Sequence, residues 1–149
     1  MQMQPLLRQW HGFLDLKRQP QPWYGERLLE ELAEQRAART ALERLSETAD
    51  VLYVTSRAEH DGHGLGEMPA FRARHLVVYA YLVLKYTSRY AFYRVAARCC
   101  GCPDLDSVRE VVNPARDHKL GQVARRNGID AAKFVRVCRR LRRVWPLLP

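Results

Sequence analysis

A single all-α domain of about five to seven helices is predicted by three observations. Apolar residues recur at three- and four-residue steps along almost the whole chain, the period of one helix face. Proline and glycine clusters cut that pattern into segments of helical length. The chain has 149 residues, 47% hydrophobic and 28% charged, enough to bury one core and short for two independent ones.

The segments follow in order. Met3 to Leu16 carries Leu6, Leu7, Trp10, Phe13 and Leu14 at helical steps, and Arg18 to Pro22, reading RQPQP, ends it. Pro22 suits the first turn of a long stretch from Trp23, with Leu28, Leu32, Ala38, Leu42, Leu45, Ala49 and Leu52 on one side and charge on the other. Ser46 to Asp50 offers capping residues that could divide this stretch, and the boundary stays open. Glu59 to Gly66, reading EHDGHGLG, is the strongest loop signal. A core helix is expected from about Phe71 to Cys100, stopped by Gly101 and Pro103. Asp104 and Asp106 can cap a short helix through Val112, and Asn113-Pro114 closes it.

Charge is distributed unevenly. Residues 114–149 hold ten Lys/Arg against two Asp, net +8 of the chain's +9, which leaves residues 1–113 near neutrality. This divides the domain into a near-neutral helical body (1–113) and a basic C-terminal unit (114–149). The excess is mostly arginine, which keeps its charge and grips phosphate through a planar fork, so a polyanion is the expected partner, DNA ahead of RNA. The longest apolar run, Leu76 to Leu84, is about half the roughly 18 residues a membrane span requires. Met1 to Trp10 lacks the charged start and apolar run of a secretory signal, so an intracellular place, nuclear or cytoplasmic, is expected.

The sharpest motif is KLGQVARRNGIDAAKFVRVCRRL, from Lys119 to Leu141. Leu120, Val123 and Ala124 are expected on the inner face of one helix, with a positive φ at Gly128 and Ile129 plugging the gap. Asp130 is a natural N-cap for a second helix, with Phe134, Val137, Cys138, Leu141 and Trp145 as its buried stripe.

These residues resemble the helix-turn-helix of lac-repressor-type bacterial repressors, in which Leu-x-x-Val-Ala-x-x-x-Gly-Val precedes a capped recognition helix. The resemblance covers residues 119–141 and implies DNA contact. Ala131 and Ala132 depart from it, since such repressors place polar side chains where base edges are reached. Lys133 and Arg136 remain as base-edge readers, and Arg139, Arg140, Arg142 and Arg143 suit phosphates. The expected function is therefore nucleic-acid binding with limited sequence specificity, through Arg125, Arg126, Lys133, Arg136, Arg139, Arg140 and Arg143. The whole chain also faintly resembles small proteins of filamentous fungi that end in an arginine-rich, Trp-Pro-containing tail, a resemblance that implies no activity.

The competing reading is a non-enzymatic interaction module, in which the long helix from Trp23 pairs with a partner or a second copy and the basic tail docks on an acidic surface. The arginine run could also meet Glu26, Glu30, Glu31 and Glu34. Cys99 and Cys102 form a C-x-x-C pair, but His118 and Cys138 lack ligand-pair spacing, so buried thiols are expected rather than zinc. His60 and His63, with Glu59 and Asp61, have groups for metal or proton chemistry but no fixed geometry. Tyr86, Arg89, Tyr90, Tyr93, Arg94 and Arg98 interleave rings with charge, a pattern read as core packing ahead of base stacking. No enzyme and no cofactor are expected.

Overall fold

The computed structural model of the chain describes residues 5–66, 72–104 and 117–145. Its helices are α1 (Pro5–Leu14), α2 (Gln21–Ala37), α3 (Ala41–His60), α4 (Leu76–Cys99), α5 (Asp117–Arg126) and α6 (Ala131–Arg142). A 3-10 turn, Ala73–His75, leads into α4, and no strand occurs among the described residues. The fold is all-α, as the apolar periodicity predicts. None of its helices is long and apolar enough to cross a membrane, among the described residues.

Contacts gather the chain into two compact units, Met1–Val83 and Leu84–Pro149. The division falls within α4. Asn113-Pro114 and the expected short helix beyond Asp104 lie outside the described residues.

In the first unit, α1 buries Leu7, His11 and Leu14. Leu6 and Phe13, expected on the inner stripe, are exposed, and His11 takes the place between the two leucines. The helix ends where Asp15 adopts a positive φ of 44°. Pro22 sits in the first turn of α2, where its missing N–H has no helical acceptor to lose.

The stretch from Trp23 is not one long helix. α2 stops at Ala37, and Thr40 opens α3 with a reciprocal cap. The Thr40 hydroxyl accepts from the Glu43 N–H at 3.1 Å, and the Glu43 carboxylate accepts from the Thr40 N–H at 3.0 Å. The break therefore falls at Ala38–Thr40, and Ser46–Asp50 lie inside α3. With a connection this short the two helices fold back as an antiparallel hairpin. The Gln35 amide donates to the Thr48 hydroxyl at 2.9 Å near the closed end, and the Tyr24 phenol donates to the Asp61 carboxylate at the open end. Nε2 of His11 lies 2.8 Å from the Ser56 hydroxyl and ties α1 to the hairpin.

The second unit is built on Phe92, Tyr93, Ala96 and Ala97 of α4, Leu120, Val123 and Ala124 of α5, Ile129, and Phe134 and Cys138 of α6. Each large side chain buried there contributes about 1.5–3 kcal/mol. Tyr93 stacks on Phe134 with centroids 6.2 Å apart, and Trp145 meets Phe92 edge-on at 5.5 Å. Gly128, at φ 66°, turns the chain so that the Ile129 N–H reaches the Ala124 carbonyl at 2.8 Å. Asp130 then caps α6, its carboxylate accepting from the Lys133 N–H at 2.6 Å. Of the inner-face residues expected of this helix pair, Leu120, Val123, Ala124, Ile129, Phe134 and Cys138 are buried, while Val137, Leu141 and Trp145 are half-buried against that core.

Candidate functional site

The α2–α3 hairpin brings acidic side chains together. Glu31 and Glu34 lie one turn apart on α2, and Glu47 and Asp50 one turn apart on α3, so each helix presents an i, i+3 carboxylate pair to one side. One carboxylate oxygen from each of Glu31, Glu34 and Glu47 lies within 4.8 Å of the other two. Asp50 is buried and near enough for its charge to act on Glu31.

Glu31 is the unusual member, with only 1% of its surface exposed. Arg27, one turn earlier, forms an ion pair with its Oε1, while Oε2 is buried without a hydrogen-bond partner. Arg27 also pairs with Glu30, which divides its charge. Burial pushes the Glu31 carboxyl up to about 7, the charges of Asp50, Glu34 and Glu47 add to the rise, and Arg27 opposes it. A buried carboxylate normally requires near-complete compensation. Here Arg27 supplies one positive partner, and the charges of three further acidic groups act against it.

Such a set can hold a hard divalent cation. All of its donors are oxygen, the preference of Mg²⁺, Mn²⁺ and Ca²⁺ rather than of zinc or copper. Inward carboxylates from facing helices are also the usual construction of metal sites in helical bundles. Sequence reading assigned Glu26, Glu30, Glu31 and Glu34 to a solvated face or an arginine clamp. The spacings Glu31-Leu-Ala-Glu34 and Glu47-Thr-Ala-Asp50 were the available signal.

The seven basic residues singled out in the sequence, Arg125, Arg126, Lys133, Arg136, Arg139, Arg140 and Arg143, are all exposed. Arg136, Arg139, Arg140 and Arg143 follow i, i+3, i+4, i+7 spacing along α6 and its C-terminal turn and share one face. Two of the seven have local contacts as well. Arg125 Nε donates to the Gly121 carbonyl at 3.2 Å, and the Lys133 ammonium donates to the Cys100 carbonyl at 3.3 Å, just beyond α4, where its charge offsets the helix dipole.

The histidine loop does not form one centre. His60 stacks on His11 at 5.5 Å, while His63 packs against Tyr24 at 5.6 Å. Burial, then the charges of His60 and Arg57, lower the His11 pKa to about 3. Asp61 is held by Tyr24, with Arg57 Nε 3.8 Å away, and the Arg57 guanidinium also donates to the Lys17 carbonyl at 2.6 Å. This network joins α1, α2 and α3 and reads as a structural clasp. The four cysteines are free thiols: Cys138 is buried as expected, Cys100 and Cys102 are half-buried, and Cys99 is exposed. The ring and charge interleaving of α4 is used within the chain, with Arg89 over Tyr86 at 5.2 Å and Arg94 over Tyr90 at 5.3 Å.

Comparisons of the chain with protein-family models, curated proteins and solved structures returned no match.

Proposed function

We propose that the α2–α3 hairpin is a divalent-cation centre, formed by Glu31, Glu34, Glu47 and Asp50, that serves hydrolysis at phosphorus in a phosphate-bearing substrate. The observation that carries this reading is the buried Glu31 Oε2, without a hydrogen-bond partner, beside carboxylate oxygens of Glu34 and Glu47 within 4.8 Å of one another and of Glu31. A cation held by carboxylates keeps positions for water and for substrate phosphate oxygens. Held by Glu31, Glu34, Glu47 and Asp50, such a cation would supply Lewis-acid polarisation of a phosphate oxygen and of water. Hydrolysis there would exchange the bond from phosphorus to the bridging oxygen for one to the water oxygen, the water's proton passing to solvent or to the leaving oxygen. The absence of catalysis expected from sequence is replaced in this reading by a cation-dependent activity.

The test is phosphate or pyrophosphate release from inorganic pyrophosphate, nucleoside triphosphates and an aryl phosphate, with Mg²⁺ or Mn²⁺ and with chelator. Cation-dependent turnover of one class, lost in Glu47→Gln, supports the reading. Turnover of none, with the cation bound, removes the hydrolytic part and leaves a cation-binding fold.

A second reading is favoured by the exposed arginine face of α6. In it, Arg136, Arg139, Arg140 and Arg143, with Arg125, Arg126 and Lys133, contact nucleic-acid phosphates, as the helix-turn-helix resemblance implies. Affinity for labelled DNA or RNA then falls steeply with salt and is lost when the four α6-face arginines become glutamine. No binding at low salt rejects it.

A further inference from the structure

Arg27, Glu30 and Glu31 stand at i, i+3 and i+4 on α2, so one guanidinium can reach both carboxylates. Nη1 of Arg27 pairs with Glu30, and Nη2 pairs with Oε1 of Glu31. The two acids differ in environment: the Glu30 side chain is 46% exposed and that of Glu31 1%, with Arg27 between them at 27%. The guanidinium therefore lies at the rim of the carboxylate group, one terminal nitrogen on its buried member and the other on a carboxylate in contact with water.

We propose that Arg27 is the resident counter-ion of the carboxylate centre, balancing Glu31 in the cation-free chain and shifting onto Glu30 when a divalent cation enters. The inference rests on the cation reading of Glu31, Glu34, Glu47 and Asp50 and adds a regulating residue to it. Arg27 pairs with Oε1 of Glu31, whereas Oε2 is buried without a hydrogen-bond partner, so the guanidinium compensates the buried carboxylate only in part. A divalent cation carries twice the charge and approaches carboxylate oxygens to about 2.0–2.6 Å, which satisfies Glu31 more fully. A guanidinium left beside it would be repelled. Arginine stays charged at any pH a protein tolerates, so Arg27 cannot yield by losing a proton and has to move. Glu30 makes that movement small, because a rotamer change of the same side chain keeps one carboxylate partner and gains contact with water. Arg27 and the cation thus compete for Glu31, and the competition sets the cation concentration at which the centre fills.

The test is calorimetric titration of Mn²⁺ at pH 8 into the full metal-free chain, Arg27→Met, Glu30→Gln and the double variant, with circular dichroism confirming that each is folded. Arg27→Met is expected to bind Mn²⁺ roughly three- to tenfold more tightly, the effect of removing one positive charge close to a divalent ion. In chelator it melts below the parent, and Mn²⁺ raises its melting temperature by more than the parent's, because the cation replaces the lost counter-ion. Glu30→Gln weakens Mn²⁺ binding when Arg27 is present, since Arg27 then has no second carboxylate to take, and has a clearly smaller effect in the Arg27→Met background. Unchanged or weaker binding in folded Arg27→Met, or an equal Glu30→Gln effect in both backgrounds, overturns the inference and leaves the cation centre standing. Absence of Mn²⁺ binding from the parent and from Arg27→Met alike removes the centre itself, and the inference with it.

Discussion

Gln35 on α2 donates its side-chain amide to the hydroxyl of Thr48 on α3 at 2.9 Å, and that bond fixes the register of the acidic hairpin. It lies one residue beyond Glu34 and one beyond Glu47, so it sets which turn of α2 faces which turn of α3. Thr48 also donates to the Arg44 carbonyl at 2.6 Å, which leaves its oxygen directed to accept from Gln35. Thr48→Val keeps the shape and removes both bonds. A loss of about 1 kcal/mol in denaturant unfolding is expected, with weaker cation binding than the parent. Unchanged stability would mean the register is held by packing alone.

Glu31 carries a stability penalty for its position. Gln in its place keeps the volume and removes a charge that burial and three neighbouring acids disfavour. In chelator at pH 8, Glu31→Gln is expected to be more stable by about 1–2 kcal/mol, a gain of several degrees in melting temperature, while cation binding falls. A lower melting temperature would show that the Arg27 pair outweighs the repulsion.

His11 gives the fold an acid limit. Its pKa falls from 6.5 to about 3 on folding, through burial first and then the charges of His60 and Arg57. Between those values the unfolded chain binds the proton and the folded chain does not. Stability present above pH 6.5 is therefore lost as pH falls toward 3, by up to about 1.4 kcal/mol per unit. From pH 6.5 to 5, above most carboxylate titration, His11→Gln should flatten the slope measured by urea unfolding. An equal slope in both proteins would assign the acid limit to other groups.

Gly128 and Gly12 should respond oppositely to alanine. A Cβ meets nothing within 4 Å at either position, but Gly128 has φ 66° and Gly12 lies within α1. Gly128→Ala is expected to cost about 1 kcal/mol through backbone strain alone. Gly12→Ala should gain roughly 0.5–1 kcal/mol, because glycine weakens a helix interior. Equal effects in thermal melts would contradict the assigned turn.

The α5–α6 pair was the most legible part of the sequence, because every determinant is local: Leu120 and Val123 by spacing, Gly128 by φ and Asp130 by its cap. The break between α2 and α3 was also written locally, as Thr40-Ala-Leu-Glu43. It was obscured by the stronger cluster of Ser, Thr and Asp at 46–50, which tertiary packing retains inside α3. The acidic centre was harder to see. Glu31 and Glu47 are sixteen positions apart in sequence, and charged residues on a helix ordinarily face water. Only the fold-back at Thr40 sets the two Glu-x-x-acid pairs against each other. His11 was overlooked for a related reason: between leucines on an apolar stripe it reads as a gap, whereas its bond to Ser56 makes it part of the core.

The central claim is that the α2–α3 carboxylates bind a divalent cation. The most direct measurement is calorimetric titration of Mn²⁺ and Mg²⁺ into the metal-free chain and into the Glu31→Gln/Glu47→Gln double variant, with circular dichroism confirming that both are folded. Saturable binding in the parent, absent from the folded double variant, is the predicted result. No binding of either cation in the parent, or equal binding in both proteins, would contradict the account.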